Sequence, residues 1–262
     1  MCIKFMKIIK SLLGKILFRL KRLFFYKTHL EFSGPYESWD VAYQNSIGYD
    51  SKLILDKIKK SIFEVLENKK SYERDGTSFS EKPLHNTLIK TLEQIGIKNR
   101  TIVDFGGSLG SNYINYRDFF SSYFKTYYIV EQKEICILGR EIASKYNLPL
   151  NYVEKLDEIN EKIDIIIFSS SLQYIENWKY LIKLIQNKKP EFILIDRHPL
   201  TDNKSKIWVQ LNTNYYEKPV TYPLHIVNEE EFLSEFKGYK LMKQWISDFD
   251  PEYFKGFLFE KN

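Results

Sequence analysis

The run Thr101-Ile-Val-Asp-Phe-Gly-Gly-Ser-Leu-Gly-Ser111 decides the fold. Its first half is a short apolar segment with β-branched residues, the pattern of a buried strand. Its second half is a glycine turn placed directly after that strand. Glycines just past a parallel strand let the backbone approach a ligand with no Cβ in the way.

Outward from this run, Thr126 to Glu131, Leu150 to Val153, Ile163 to Phe168 and Glu191 to Asp196 are further short apolar runs separated by helical segments. Such alternation predicts an α/β fold, a parallel sheet with helices on both faces. Glu131 closes the second strand, where a doubly wound fold places a carboxylate for ribose hydroxyls. A dinucleotide fold prefers glycines at 106, 108 and 111, and positions 108 and 111 are serines, which disfavours a nicotinamide cofactor. An acid at the strand end with glycines two and six residues later suits a cofactor that carries a zwitterionic amino acid. Asp104 can then face an ammonium, and the Gly106 to Gly110 turn can lie beneath the ribose and amino-acid portion.

Two more strand ends fall on the same side of the sheet, at Ser169 to Tyr174 and at Asp196-Arg-His-Pro199. His198, with an ordinary pKa near ~6.5, is the expected acceptor of a proton from a substrate hydroxyl, with Arg197 and Asp196 as its catalytic neighbours. A turn-capping role for His198 and for Asp196 is the competing reading. The stretch His198 to Val227 reads as a long aromatic loop beside the site. Between Glu31 and Arg100 the pattern is mostly helical, over Ser51 to Asn68 and His85 to Gly96. Phe32 to Tyr36 and Arg74 to Gly76 read as turns, and residues 72 to 82 as a polar, mobile loop. Asn228 before three glutamates marks a helix start, and two strands follow at Tyr239 to Ser247 and Gly256 to Glu260.

Composition sets the bounds. Hydrophobic residues at 44% and charged residues at 28% over 262 residues exclude wholesale disorder and a polytopic membrane protein. Cys2 and Cys136 match no metal spacing, so no metal site is expected and a reducing, cytoplasmic setting is. Residues 1 to 27 hold eight basic residues and no acidic one, which leaves the rest of the chain near −3. That balance offers no general nucleic-acid surface. On a helical projection, Phe5, Ile9, Leu13, Ile16 and Leu20 share one face with the basic residues opposite. This segment is expected to lie on the inner face of an anionic membrane, to pack on the domain, or to form a homodimer contact.

One family gathers these pieces. The ordered set Phe32-Ser-Gly-Pro-Tyr-Glu-Ser-Trp39, Arg74-Asp-Gly76, Val103 to Ser111, Val130-Glu-Gln132, Ser170-Ser-Leu-Gln-Tyr174, Ile195-Asp-Arg197, Val209-Gln210 and Thr221-Tyr-Pro223 resembles class I methyltransferases found among bacterial surface-polysaccharide genes. The resemblance runs from about residue 32 to the end. It implies a Rossmann-like seven-stranded sheet whose last two strands are antiparallel, and S-adenosylmethionine as cofactor. The implied cofactor residues are Asp104, Gly106, Gly107, Ser108, Gly110, Ser111, Glu131, Gln132, Ser170 and Gln173. The family commonly has threonine where this chain has His198, so the base assignment comes from the residue's chemistry and not from the family.

The resulting expectation is a basic helix over 1–30, a helical cap over 31–96 and a cofactor domain over 97–262. Its activity would be O-methylation of a small sugar or phosphosugar-linked acceptor in bacterial capsule or surface-polysaccharide biosynthesis, a phosphoramidate or phosphate group included, with Tyr36, Trp39, Arg74, Tyr216, Tyr222 and His225 around that acceptor. A non-catalytic cofactor-binding assembly protein and a protein methyltransferase are the alternatives.

Overall fold

A computed structural model of the chain describes residues 31–47, 51–120, 124–212, 220–248, 250–251 and 253–262. The expected basic helix with its membrane or dimer contact, and Tyr216, lie outside the described residues. In chain order the elements are β1 (Glu31–Tyr36), α1 (Trp39–Gln44), α2 (Ser51–Leu66), β2 (Tyr72–Arg74), β3 (Thr77–Phe79), α3 (Thr87–Ile95), β4 (Thr101–Phe105), α4 (Ser111–Asn115), α5 (Arg117–Phe120) and β5 (Thr126–Val130). They continue with α6 (Lys133–Tyr146), β6 (Leu150–Val153), β7 (Ile165–Ser169), α7 (Trp178–Lys188), β8 (Phe192–Thr201), β9 (Lys206–Asn212), β10 (Val220–Asn228), α8 (Glu229–Ser234), β11 (Tyr239–Ile246) and β12 (Phe254–Lys261).

Seven strands form the central array in the order β6, β5, β4, β7, β8, β12, β11. The first five are mutually parallel, and β12 runs antiparallel to both β8 and β11. Strand alternation sorts the apolar residues into two cores, one per face. Ile102, Ile165, Ile167 and Leu194 point to the face covered by α2, α3 and α6. Val103, Ile166, Phe168, Ile193 and Ile195 point to the face covered by α7 and α8. Helix α7 buries Trp178, Leu181, Ile182 and Ile185, spaced three, one and three residues apart, the stripe of a helix lying on a sheet.

Three regions differ from the sequence expectation. Phe32 to Tyr36 is a strand, β1, paired with β9. The polar stretch from 72 is the hairpin β2–β3, with Glu73 and Arg74 buried. The long connection after His198 is largely sheet: β8 continues to Thr201, and β9 pairs with β10 in an antiparallel hairpin. Strand β10 then joins the end of β8 through Val227 opposite Leu200 and Asn228 opposite Thr201. The result is a ten-stranded sheet whose three-stranded arm, β1-β9-β10, rises from the carboxyl end of β8.

Candidate active site

The strand order reverses between β4 and β7, and ligands of open α/β sheets bind beyond the carboxyl ends at such a point. A cavity of about 750 Å³ opens there, between the ends of β4, β5, β7 and β8, the hairpin β2–β3 and the arm. Its volume suits a cofactor-sized molecule with an acceptor beside it.

The floor is built from strand ends. After β4 the chain turns at Gly106, whose amide donates to the Val130 carbonyl at 2.9 Å. A Cβ on Gly106 would fall 2.5 Å from Ser171 Cβ, so only glycine lets the loops after β4 and β7 meet, where the Ser171 hydroxyl donates to the Phe105 carbonyl at 2.6 Å. Glu131 accepts from the Ser108 amide at 3.0 Å and from the Gln132 amide at 2.9 Å. It therefore fixes the glycine loop while each oxygen keeps a lone pair for a further donor. Ser108 and Ser170, just past β4 and β7, and Arg197, just past the parallel-paired part of β8, all adopt the left-handed backbone (φ 55°, 57° and 60°). Left-handed non-glycine residues of this kind concentrate at functional sites.

At Arg197 this backbone makes a bulge in β8. His198 pairs with Lys255 and Ile195 with Phe257, so Asp196 and Arg197 together face Gly256. The bulge turns Arg197 into the cavity and His198 into the opposite core. There the imidazole is fully buried and stacked on Phe232 at 4.5 Å, with no hydrogen-bond partner for either nitrogen among the described residues. Burial lowers its pKa to about 3. Contrary to the sequence expectation, His198 lies in the core away from the cavity and is not placed to act as a general base on a ligand there.

The opposite wall is ionic. Arg74 donates to Asp250 Oδ1 at 2.8 Å, Arg197 to Asp250 Oδ2 at 3.0 Å, and both guanidiniums reach Asp75 Oδ2 at 3.3 Å. Burial pushes the Asp250 carboxyl up, but the two guanidiniums outweigh it and hold the group below its ordinary value. On the arm side, Tyr174 donates to Gln210 Oε1 at 3.0 Å, Gln210 donates to the Tyr222 oxygen at 3.1 Å, and the two tyrosine rings meet edge to face.

Of the residues expected from sequence, Gly106, Gly107, Ser108, Ser111, Glu131, Gln132, Ser170, Arg197, Trp39, Arg74 and Tyr222 line the cavity. Others lie one layer back. Asp104 sits beneath Gly107, accepts from Asn112 and Tyr127, and titrates near 6 because it is buried. Gln173 is 1% exposed and donates to the Ser170 hydroxyl. Gly110 packs against Ile129, Leu150 and Tyr152. Asp196 accepts from the Trp245 indole. His225 stacks behind Trp39 at 4.7 Å, and Tyr36 shares a hydrogen bond with Ser33 on β1. Sequence reasoning missed Glu73, Asp75, Asn112, Asn115, Gln210 and Asp250 on the wall. Among these Asp75 and Gln210 had a signal, as part of the Arg74-Asp-Gly76 and Val209-Gln210 segments.

The central array, with its switch point between β4 and β7 and its reversed β12, decides the architecture. The fold is that of the class I methyltransferases. Three solved structures carry the same likeness. The CcbJ methyltransferase from Streptomyces caelestis aligns with 81% of this chain and 99% of its own at 12% identity and a TM-score of 0.54. The Burkholderia thailandensis 1,6-didemethyltoxoflavin-N1-methyltransferase, solved with its acceptor and S-adenosylhomocysteine, aligns with 90% and 97% at 8% identity and 0.53. An S-adenosylmethionine-dependent methyltransferase from Clostridium acetobutylicum aligns with 67% and 89% at 12% identity and 0.51. No protein-family model and no curated protein matches the sequence. Among the described residues no cluster with metal-ligand composition occurs in this methyltransferase fold, and no helix is long and apolar enough to cross a membrane.

The site fits the cofactor that such neighbours use. The Ser108 hydroxyl on the cavity floor is buried with no partner among the described residues. Glu131 has spare acceptor capacity at the second strand end, and the Gly106–Gly107 turn leaves the loop face bare. A nucleoside with hydroxyls for Glu131 and a flexible polar chain over the loop matches these groups.

Proposed function

We propose that the protein is an S-adenosylmethionine-dependent O-methyltransferase acting on a hydroxyl of a sugar-bearing small molecule, a precursor of a surface glycan. The observation that carries the reading is the single cavity that joins Gly106, Ser108 and Glu131 at one end to Trp39, Tyr174, Gln210 and Tyr222 at the other. The first group offers a bare loop and a ribose-binding carboxylate. The second offers ring faces together with hydroxyl and amide groups, a combination suited to the C–H and O–H surfaces of a sugar.

Bound there, the cofactor supplies a methyl group on a positively charged sulfur, a strong leaving group. The chain's own residues then have to align the acceptor and keep water out. The Tyr174–Gln210–Tyr222 chain fixes hydroxyl and amide directions on the acceptor side. The Arg74–Asp250–Arg197 bridge ties hairpin β2–β3 to β8 and forms one wall of the cavity. Because both guanidiniums already carry carboxylate partners, the uncharged part of the acceptor is the part that meets this wall.

Titration calorimetry with S-adenosylhomocysteine tests the reading. The folded chain should bind it, and Glu131→Ala should weaken binding roughly tenfold or more, the loss of charge-assisted hydrogen bonds worth about 1.5–3 kcal/mol. Absence of binding by the folded chain would overturn it. Incubating cell extract with methyl-labelled cofactor, then separating small molecules from polysaccharide, identifies the acceptor class.

A further inference from the structure

One acid on the cavity wall, Glu73, belongs neither to the ionic bridge nor to the glycine loop. Glu73 is 1% exposed, yet it lines the cavity beside Ser111, Asn112 and Asn115 of α4, the helix that leaves the glycine loop. A single amide clamps its main chain on both sides: the Glu73 amide donates to Asn115 Oδ1 at 2.8 Å, and Asn115 Nδ2 donates to the Glu73 carbonyl at 2.7 Å. Its Oε1 accepts from the Gly76 amide at 2.8 Å. Its Oε2 has no hydrogen-bond partner among the described residues, although the Ser111 hydroxyl is near enough to favour its charge. The carboxylate is thus held in place with one oxygen left over.

The other acids of the wall are occupied or exposed. Asp75 and Asp250 receive guanidiniums, Glu131 receives two backbone amides, and Glu176 faces water. A buried carboxylate with no cation is costly and holds its proton. Burial raises Glu73 to about 7, with Asp75 adding to the rise and the Ser111 hydroxyl, the Gly76 amide and Arg197 opposing it. A cationic group arriving at Oε2 would supply the missing partner.

Resting on the S-adenosylmethionine reading, we infer that Glu73 receives the α-ammonium of the cofactor's amino-acid portion, the role that sequence analysis gave to Asp104. Asp104 also has one oxygen, Oδ1, without a partner among the described residues, but the side chain is shut beneath Gly107, does not line the cavity, and its Oδ2 is taken by Asn112 and Tyr127. Glu73 instead stands in the cavity wall against the first turn after the loop.

The test is titration calorimetry of the full chain at pH 6 and pH 8 with two ligands. S-adenosylhomocysteine carries the ammonium, and 5′-methylthioadenosine has the nucleoside without the amino acid. A group titrating near 7 passes from about one-tenth to nine-tenths ionised over this interval, so S-adenosylhomocysteine should bind about tenfold more weakly at pH 6, while methylthioadenosine stays within twofold. Glu73→Gln keeps an acceptor for Gly76; it should weaken S-adenosylhomocysteine at pH 8 at least tenfold, remove the pH difference and leave methylthioadenosine unchanged. A pH effect shared by both ligands overturns the inference, as does a Glu73→Gln chain that binds like wild type. A pH difference that persists in Glu73→Gln returns the role to Asp104. If that variant does not fold, Asp104→Asn takes its place: a pH difference kept in Asp104→Asn supports Glu73, and one lost there overturns the inference. If neither ligand binds the wild-type chain, the cofactor reading fails and the inference falls with it.

Discussion

The Trp245 indole donates to Asp196 Oδ1 at 3.0 Å by crossing directly over Gly256. A Cβ built on Gly256 would lie 2.1 Å from Trp245 Cε2, so the strand between donor and acceptor has to be bare. The contact steadies the bulge that aims Arg197, because it anchors the bulge's other residue. Gly256→Ala should push the indole off Asp196, leave a buried carboxyl without its donor and cost ~1–3 kcal/mol. Urea unfolding measures the loss; an unchanged midpoint would show that the indole has room to shift.

Asp250 bridges two arginines that would otherwise face each other with only half-exposed Asp75 between them. Removing one member of a buried ionic cluster strands the others. Asp250→Asn should therefore destabilise the chain by ~3–5 kcal/mol. It should also loosen hairpin β2–β3, seen as faster amide exchange at Glu73 and Gly76.

Stability of the ligand-free protein should fall as the pH rises from about 4 to 7. Burial raises Glu73 to about 7, and Asp104 and Asp196 each to about 6. Unfolded, these groups release their protons near their ordinary values of 4.5 and 3.8. Across that window the folded state holds more protons, which gives stability a negative slope with pH. Glu161 and Asp250 act oppositely: hydrogen bonding from Lys125 takes Glu161 down to about 2, and the guanidiniums lower Asp250. Their contribution is present above the ordinary carboxyl range and is lost as pH falls through the lowered values; His198, which burial lowers from 6.5 to about 3, also opposes the decline up to its ordinary value, one proton against the three of the raised acids. Calorimetric unfolding at constant ionic strength should show a maximum near pH 4–5, and Glu73→Gln should flatten the decline by up to about 3 kcal/mol at pH 7.5. A stability that rises steadily to pH 7 would contradict this assignment.

His198→Phe should be tolerated. The ring of His198 already packs as an apolar plate on Phe232, and neither nitrogen has a partner among the described residues. Replacing it removes two buried polar atoms, a change that is neutral or stabilising. The melting temperature should hold or rise, and S-adenosylhomocysteine affinity should stay within twofold. A large loss of binding would reinstate His198 as a site residue.

What could be read from the sequence was what local pattern encodes. The strand Thr101–Phe105, its glycine turn and the acid at 131 follow from a short continuous apolar run rich in β-branched residues and from glycine placement, so the sheet centre and the cavity floor were legible. The hairpin β2–β3 was not. Glu73 and Arg74 have the composition of a solvated loop, and what buries them is Asn115, 42 residues on, and Asp250, 176 residues on. The arm was hidden for a different reason: Pro35 and Pro223 sit inside its strands and mimic turns. His198 was misread because strand alternation fails at one left-handed residue, Arg197, whose backbone angle the sequence does not announce.

Strand β8 belongs to two structures at once. Its first half is the fifth member of the parallel array, and its last two residues carry the arm through Leu200 and Thr201. Gln210 and Tyr222 on the arm, and the glycine loop on the sheet, are thus floor and jamb hung from one beam. Leu200 and Thr201 are the strand contact between the arm and the parallel array, beside the side-chain contact of Tyr174 with Gln210. A substitution at Leu200 would therefore act on the spacing between Gln210 or Tyr222 and the glycine loop without touching either.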